Sequence, residues 1–121
     1  QHPFYPYSGT DKPAANMCNV PLAAGSGGEE FRDAVMQVWT PRLKEFKPQL
    51  IIISAGFDGH YEDDMGGLKL VEKDYAWCTD ELKKIAAQYS EKRIVSMLEG
   101  GYVMTSLARS VGAHLRSLAD L

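Results

Sequence analysis

The sequence lacks the features that mark several large classes of protein. Its apolar runs are short, as at residues 50–53, whereas a membrane span needs about 20 apolar residues. Basic residues are not in excess, because 13 Lys and Arg stand against 16 Asp and Glu, which disfavours direct binding to nucleic acid. Internal repeats and low-complexity segments are also absent. The 121 residues, 45% hydrophobic and 24% charged, predict one globular domain without a membrane or nucleic-acid partner.

Cysteine is scarce, and the amino terminus does not resemble a signal peptide. Cys18 and Cys78 are far apart in the sequence, and neither stands in a zinc-binding or redox spacing. Two reduced thiols are typical of a cytoplasmic protein. Gln1 is followed by neither a basic nor an apolar segment. We therefore expect a cytoplasmic protein, and the missing initiator Met favours a processed chain or a fragment.

Residues 1–28 form the first predicted unit. Prolines and a glycine cluster are concentrated there, with three aromatic side chains near the start: Phe4, Tyr5 and Tyr7. Turn formers at this density predict an ordered loop without regular structure, and long loops inside compact domains are usually functional. We accordingly divide the chain into a loop segment, residues 1–28, and an α/β part, residues 29–121.

Residues 29–121 alternate between helical and strand patterns. The first predicted helix begins at a capping box of Ser26 and Glu29 and is kinked or divided by Pro41. A continuous apolar run at residues 50–53 and the mainly apolar segment 93–98 predict strands covered on both faces, as in parallel sheets. The order loop–α–β–α–β–α therefore predicts an α/β fold, with parallel strands and helices on both faces of the sheet.

The two later helices are predicted from apolar residues at helical spacing. The first of these helices begins after Val71, which has no side-chain oxygen to cap it, and Glu72 and Asp74 partly offset that lack. The last helix is expected to bury a stripe of five apolar side chains: Leu107, Ala108, Val111, Leu115 and Leu118.

Candidate chemistry is expected in the loops that leave the two strands, because ligands of parallel sheets bind at the carboxyl ends of strands. One loop carries Asp58, and the other carries Tyr102. A carboxylate is a hard ligand for a divalent metal, and a tyrosine hydroxyl can stabilise an oxygen that gains charge in a transition state. Both residues also fit plainer roles, Asp58 as a turn or cap residue and Tyr102 as an ordinary, partly buried tyrosine.

Taken together, the amino-acid sequences of these loops resemble those of the zinc-dependent histone deacetylase and acetylpolyamine amidohydrolase family. The similar segments are HPFYPYSGT, NVPLAAGSG, IIISAGFDGHYEDDMGGLKL and RIVSMLEGGYVMTSLARSV. The resemblance covers practically the whole chain. It implies the carboxyl-terminal part of an arginase/deacetylase-like catalytic domain, whose substrates are amides of acetyl-lysine or acetylpolyamines.

The resemblance also implies roles for individual residues. Asp58 matches the zinc-ligating aspartate of the family, and Tyr102 matches the tyrosine that polarises the acetyl carbonyl and stabilises the oxyanion. Four further residues match positions that contact the substrate: Gly100 and Gly101 in the turn that floors the acetyl pocket, Tyr5 in the wall of the acyl-lysine tunnel, and Met65 at its rim.

The sequence departs from the family upstream of Asp58. The family takes its other aspartate ligand, its histidine ligand and its paired catalytic histidines from segments that have no counterpart here. His60 is expected to be a loop residue and not a ligand, and His114 is expected on a helix surface. One of three zinc ligands is therefore present, which predicts that the chain alone is inactive.

Two strands are fewer than a stable sheet usually needs, so we expect the isolated chain to associate with itself through exposed edges and apolar faces. A non-catalytic α/β module for binding or assembly stays open as an alternative function. A nucleotide-binding domain with residues 25–28 as a phosphate loop is disfavoured, because no convincing strand precedes that run and its spacing does not match.

Overall fold

The computed structural model describes residue 7 and residues 14–121. Its elements in chain order are α1 (Gly28–Ala34), a π-helical turn (Val35–Trp39), α2 (Thr40–Phe46), β1 (Ile51–Ala55), α3 (Glu72–Tyr89), β2 (Ile94–Leu98) and α4 (Met104–Ala119). The two strands are parallel, and the predicted α/β fold is confirmed. No helix in the described residues is both long enough and apolar enough to cross a membrane.

The loop segment before α1 is described only from residue 14 onward, apart from residue 7. Residues 14–27 make turns and a single bridge, without a helix or a strand. Phe4 and Tyr5 belong to the predicted ordered loop, and Tyr5 to the predicted tunnel wall. Both residues lie outside the described residues. The division of the chain at residue 28 therefore stays a prediction.

The first helix is interrupted just ahead of Pro41, as the sequence predicts. Proline lacks a backbone N–H, and its ring collides with the carbonyl four residues earlier, here that of Gln37. The backbone widens into the π-helical turn Val35–Trp39 and resumes as α2 at Thr40. Lys47 ends α2 in the left-handed conformation, with φ of 52°.

The start of α1 lies one residue later than the predicted capping box. The amide of Gly27 donates to Glu30 Oε2 at 2.9 Å, in place of a pairing between Ser26 and Glu29. Ser26 instead accepts the Lys69 amide at 2.8 Å through its carbonyl, which ties this segment to the loop after β1.

The amides of residues 25–27 are used inside the protein. Gly25 donates to Gly67 O at 2.8 Å, and Ser26 donates to Ala23 O at 3.1 Å. Together with the bond from Gly27 to Glu30, these contacts occupy three successive donors. A phosphate loop presents such donors to its ligand, so the structure does not support the nucleotide-binding interpretation.

The two faces of the sheet differ in what covers them. Strand pairs run from Ile51 beside Ile94 to Ala55 beside Leu98. Ile51 packs against Ile85 and Ala86 of α3, and its face of the sheet is covered. The side chains of the opposite face are largely exposed, by 59% for Ile52, 46% for Val95 and 51% for Met97. The second covering layer that the apolar runs predict does not come from the described residues.

Asp74 caps α3 and joins it to α1. Its buried carboxylate accepts the Val71 amide at 2.9 Å and the Arg32 guanidinium at 2.5 Å. Gly28 of α1 leaves the space for this carboxylate, because a Cβ at that position would lie 2.3 Å from Asp74 Oδ1. The predicted compensation for a missing side-chain cap is therefore supplied by Asp74, which accepts the orphan amide at the helix start.

The sequence predicts an apolar buried stripe on α4, but the stripe is polar. Ser106, Ser110 and His114 are buried, whereas Ala108 and Leu115 are exposed. Serine side chains are short, so α4 can lie close to α3. The expected placement of Leu107 and Val111 is retained, since both pack partly buried against the core around Phe57.

His114 is not on the helix surface, and that expectation is wrong. Its Nδ1 lies 2.7 Å from Thr79 Oγ1, and its Nε2 lies 2.8 Å from Ser96 Oγ. Thr79 donates its own hydroxyl proton to the Tyr75 carbonyl. Nδ1–H of His114 therefore donates to Thr79, and Nε2 accepts from Ser96. The neutral imidazole joins α4 to α3 and β2, and burial lowers its pKa.

We predict that the protein loses stability as the pH falls below about 6.5, the ordinary pKa of the group. Because the folded pKa of His114 is lowered, the unfolded chain binds the proton first. The stabilisation is complete above the unfolded pKa and is lost as the pH falls through the folded value. His114→Gln should flatten the dependence of the urea midpoint between about pH 7 and pH 5.

Ser96→Ala is the matched control for this experiment. It removes a hydrogen-bond partner but keeps the imidazole, so the midpoint should fall while its dependence on pH remains. A pH dependence in His114→Gln equal to that of the wild-type chain would contradict the assignment.

Candidate functional site

Two loops meet at the carboxyl ends of the parallel strands. The Phe57 amide donates to the Gly100 carbonyl at 2.8 Å, and the Glu99 amide donates to the Ala55 carbonyl at 3.0 Å. These bonds continue the pairing of β1 and β2 beyond the strands themselves. The structure thereby brings together the loops that carry Asp58 and Tyr102.

The Asp58 carboxylate occupies space that glycine leaves open. A Cβ on Gly100 would lie 2.6 Å from Asp58 Oδ2, and a Cβ on Gly56 would lie 3.1 Å from Oδ1. Gly101 has φ of +140°, which residues with a side chain rarely adopt, and a Cβ there would lie 2.6 Å from Leu107. Both glycines of the Gly-Gly-Tyr turn are therefore required by the geometry, the first of them by Asp58.

The backbone immediately before Asp58 is held from α3. The hydroxyl of Tyr75 donates to the Phe57 carbonyl at 3.1 Å, and the His60 amide lies 3.2 Å from the same oxygen. Burial raises the pKa of Tyr75, and the nearby Asp58 and Asp63 carboxylates raise it further. Tyr75 thus stays protonated and remains a donor at every physiological pH.

His60 lies in the loop beside Asp58, and its ring is buried near Glu62 and Glu72. The ring is fully buried, Nδ1 accepts the Glu62 amide at 3.2 Å, and Nε2 lies 3.5 Å from Glu72 Oε1. Arg109 of α4 donates to both carboxylates, at 2.5 Å to Glu72 and 2.6 Å to Glu62. That guanidinium lowers the pKa of Glu72. The ring nitrogens of His60 therefore face the Glu62 amide and the Glu72 carboxylate, and Nε2 has no hydrogen-bond partner among the described residues.

Asp63 belongs to this site although the sequence analysis does not single it out. Its carboxylate is buried and accepts three backbone amides: Tyr102 at 2.7 Å, Met65 at 3.0 Å and Val103 at 3.3 Å. Burial opposes ionisation, but the three amide donors outweigh it and lower the pKa of Asp63. Its only signal in the sequence is a place in an acidic loop, where solvated carboxylates are equally common.

The side chains of Tyr102 and Met65 are accessible. They are 60% and 56% exposed, respectively, although the backbone amides of both residues bind the buried Asp63 carboxylate. Each residue therefore combines a fixed backbone with a side chain that a ligand can reach. Tyr5, the remaining candidate for a substrate contact, lies outside the described residues.

Asp58 fits one position of a zinc site. Its carboxylate is an oxygen ligand of the kind that zinc accepts, and a catalytic zinc site takes three protein ligands. Within the described part of the chain, no group of three His, Cys, Asp or Glu side chains is arranged to hold a metal ion. The described residues therefore fit one ligand position and do not form a complete centre.

Parallel strands followed by an aspartate loop and a Gly-Gly-Tyr turn define an α/β protein of the deacetylase-like class. A sequence model described as the histone deacetylase domain matches residues 1–118. The chain belongs to the histone deacetylase domain family.

Similar proteins are longer than this chain. Type-2 histone deacetylase 2 of Dictyostelium discoideum is 41% identical over 129 aligned residues, which cover 97% of this chain and 8% of that protein. Chloroplastic histone deacetylase 14 of Arabidopsis thaliana is 34% identical, covering 91% of this chain and 26% of the relative. The chain thus spans well under two thirds of these curated relatives.

Solved structures show the same fold. The histone deacetylase Clr3 superposes with a TM-score of 0.77 at 32% identity, covering 85% of this chain and 17% of that structure. The HD domain of HDA15 superposes with a TM-score of 0.81 at 26% identity, covering 98% of this chain and 34% of that structure. The arginase/deacetylase-like fold expected from the sequence is confirmed.

We predict that Gly66→Ala destabilises the loop around Asp58. A Cβ on Gly66 would lie 2.1 Å from the Asp58 carbonyl oxygen, and a backbone atom cannot rotate away as a side chain can. The free energy of unfolding in urea should fall by about 1–3 kcal/mol, the usual cost of overpacking.

Gly112→Ala in α4 provides the control, because a Cβ there meets only the flexible end of Arg116 at 3.5 Å. That variant should be neutral or more stable by about 0.5–1 kcal/mol, since alanine favours helix over glycine. Equal stability of Gly66→Ala and the wild-type chain would exclude the close approach to Asp58.

Proposed function

We propose that this chain forms part of a zinc-dependent amidohydrolase that removes acetyl groups from acetyl-lysine or acetylpolyamine amides. The observation that carries the proposal is the pairing of the two loops, in which Phe57 binds the Gly100 carbonyl at 2.8 Å and Gly100 borders the Asp58 carboxylate. Membership in a zinc-dependent family that acts on acetylated substrates supports the reaction class. The nature of the acetylated carrier is left open between a histone, another protein and a small amide.

In this proposal Asp58 and Tyr102 divide the chemistry between them. Asp58 holds the metal, and zinc, when bound, supplies a Lewis acid and lowers the pKa of a coordinated water to about 7. The Tyr102 hydroxyl donates a hydrogen bond to the acetyl carbonyl oxygen as that oxygen gains negative charge. The exposure of Tyr102 supports this role, because its side chain is free to meet a substrate.

The remaining candidate residues are proposed to shape the acetyl pocket. Gly100 and Gly101 form its floor, since neither carries a side chain and a Cβ at either position would clash. Met65 is proposed for the rim, where its side chain is exposed. Tyr5 is proposed for the tunnel wall from the family resemblance alone. The division between a loop segment, residues 1–28, and an α/β part, residues 29–121, is proposed on the same basis.

The site is incomplete in this chain. The sequence has no counterpart of the family's other ligands and catalytic histidines, and Asp58 is not part of a three-ligand group in the described residues. We propose that a larger domain completes the site. The same observation favours the alternative, a non-catalytic module for binding or assembly, because one carboxylate does not make a zinc centre.

We predict that the purified chain, supplied with zinc, releases acetate from an acetyl-lysine reporter only at the background rate. The general base and two metal ligands are missing, so neither water activation nor proton transfer is provided. Turnover that survives repurification and is lost in Tyr102→Phe, but not in the exposed control Tyr61→Phe, would overturn this prediction.

The roles of Asp58 and Tyr102 are tested together in a polypeptide that joins these residues to a complete deacetylase domain. Tyr102→Phe should lower kcat by about 10²–10³-fold, the usual effect of removing one oxyanion donor, with unchanged zinc content. Asp58→Ala should instead lose zinc. If both variants kept zinc and full activity, the assignment would be wrong, and the non-catalytic alternative would be preferred.

We also propose that the isolated chain self-associates. Ile52, Val95 and Met97 form an exposed apolar sheet face, and the strand pair has no third strand among the described residues. A groove of about 850 Å³ runs from β1 to α2 and the segment around Met17. Exposed apolar patches and open strand edges both recruit further chains.

This association predicts a dimer or larger species at micromolar concentration in size-exclusion chromatography with light scattering. Ile52→Glu places a charge on the apolar sheet face and should shift the species towards monomer. Leu115→Glu, on the exposed side of α4, should leave the mass unchanged. A compact wild-type monomer with a cooperative thermal transition would refute the proposal.

The cysteines support a reducing compartment, and we propose the cytoplasm. Cys18 and Cys78 are both free thiols. Burial raises the pKa of Cys78 to about 11, so the thiol stays protonated and reacts slowly with oxidants. One of the relatives named above is chloroplastic, so members of this family are not restricted to one compartment.

A further inference from the structure

Asp63 connects three parts of the candidate site through one buried carboxylate. Oδ2 accepts the Tyr102 amide at 2.7 Å and the Val103 amide at 3.3 Å, while Oδ1 accepts the Met65 amide at 3.0 Å. The side chain belongs to a residue that is only 4% exposed. The carboxylate therefore crosses from the loop after β1 to the turn after β2.

The loop that carries Asp63 is the same loop that carries Asp58. The Asp63 amide donates to the His60 carbonyl at 2.9 Å, and the His60 amide lies 3.2 Å from the Phe57 carbonyl. Gly66, just beyond Asp63, approaches the Asp58 backbone closely. The carboxylate of Asp63 is thus anchored to the backbone that bears Asp58.

Tyr102 stands between Gly100, whose carbonyl is bound by Phe57, and Val103, the N-cap residue of α4. Its side chain is 60% exposed, so packing does not fix it. Among the described residues, the Asp63 carboxylate is the acceptor for its amide. Val103, the next residue, caps α4, whose amino-terminal end favours a negative charge. The position of the Tyr102 backbone therefore depends on Asp63.

We propose that Asp63 is a positioning residue that sets the place of Tyr102 relative to Asp58. This inference rests on the proposed function for the role of the Tyr102 hydroxyl, but not for the placement of its backbone. Asp63 does not touch the substrate, and it acts only through the amides that it binds. Its bond to the Met65 amide stays within its own loop and leaves the Met65 side chain exposed.

A carboxylate suits this position better than an amide does. Asp63 accepts three N–H donors with two oxygens, whereas asparagine offers one acceptor oxygen and a donor –NH₂ group. Asp63→Asn therefore keeps the shape of the side chain, but its –NH₂ group faces at least one backbone N–H. Two donors cannot form a hydrogen bond, so that bond is lost. Asp64→Asn is the matched control, because it makes the same charge change at the adjacent, exposed residue.

The first test measures amide hydrogen exchange by NMR in the full chain at neutral pH. In Asp63→Asn the Tyr102 amide should lose at least about 10-fold of its protection, the factor that corresponds to the net stabilisation of about 1.5 kcal/mol by a hydrogen bond to a charged group. In Asp64→Asn its protection should be unchanged. The Phe57 amide, bound to the Gly100 carbonyl, reports that the two loops still pair. Unchanged protection of Tyr102 in Asp63→Asn would overturn the proposal.

If Asp63→Asn does not fold, so that the Phe57 amide also loses protection, the proposal is tested in the wild-type chain. In that chain the Tyr102 amide should exchange at least about 10-fold more slowly than an unprotected amide in the same sequence context. Exchange at the unprotected rate would overturn the proposal without any substitution.

The second test uses the complete, zinc-loaded deacetylase domain. Asp63→Asn should lower kcat on the order of 10- to 100-fold, the range expected for a misplaced reacting group, with KM and zinc content unchanged. Combined with Tyr102→Phe, it should cost no more than Tyr102→Phe alone, because both act through one hydroxyl. Full additivity of the two losses, or full activity of Asp63→Asn, would overturn the proposal.

The two tests separate failure of the inference from failure of the proposed function. If Tyr102→Phe leaves activity unchanged, the proposed chemistry of Tyr102 is wrong. The exchange of its amide still shows whether Asp63 positions the backbone. If Tyr102→Phe is inactive while Asp63→Asn retains full activity, the function stands and the positioning role is refuted.

Discussion

The backbone pairing that runs past the ends of β1 and β2 is the constraint on which the candidate site depends. Phe57 and Glu99 each donate an amide across to the opposite loop, so the two loops cannot move apart without breaking the sheet edge. This pairing places Gly100 against Asp58, and only a residue without a side chain tolerates that distance. The aspartate and the Gly-Gly-Tyr turn are therefore one structural unit.

Buried polar groups complete this unit and connect it to the helices. Asp63, Asp74 and His114 each satisfy partners from more than one element, and each is buried. An unsatisfied polar group in such a place costs about 1–3 kcal/mol, so each set of partners constrains the arrangement as a whole. The site rests on hydrogen-bonded connections as well as on apolar packing, and His114 makes such a connection from α4 to α3 and β2.

The chain combines a well-determined pair of loops with an incomplete chemical centre. Family membership and the shared fold agree with the loop geometry, while no group of three His, Cys, Asp or Glu side chains in the described residues is arranged to hold a metal ion. The packing is incomplete as well, because one apolar face of the strand pair is exposed among the described residues. Both features are consistent with the proposal that a larger domain completes the site.

The sequence by itself determined the order of the elements, because local patterns encode them. Apolar segments marked both strands, and Pro41 marked the break in the first helix. The loops with Asp58 and Tyr102 were recognisable from their own residues. These signals are short-range, because the proline ring, the spacing of apolar residues and the residues of a turn each act within a few positions of the chain. The family followed from the same loops.

Only the tertiary structure decided which polar residues are buried, and with what partners. Asp63 looks like a solvated acid in its loop, yet it accepts amides from residues about 40 positions later in the chain. His114 looks like a surface residue on a helix, yet its partners Thr79 and Ser96 stand on two other elements. A hydrogen bond between distant segments leaves no periodic trace in a sequence. Its donor and acceptor meet only after the strands have paired and the helices have packed.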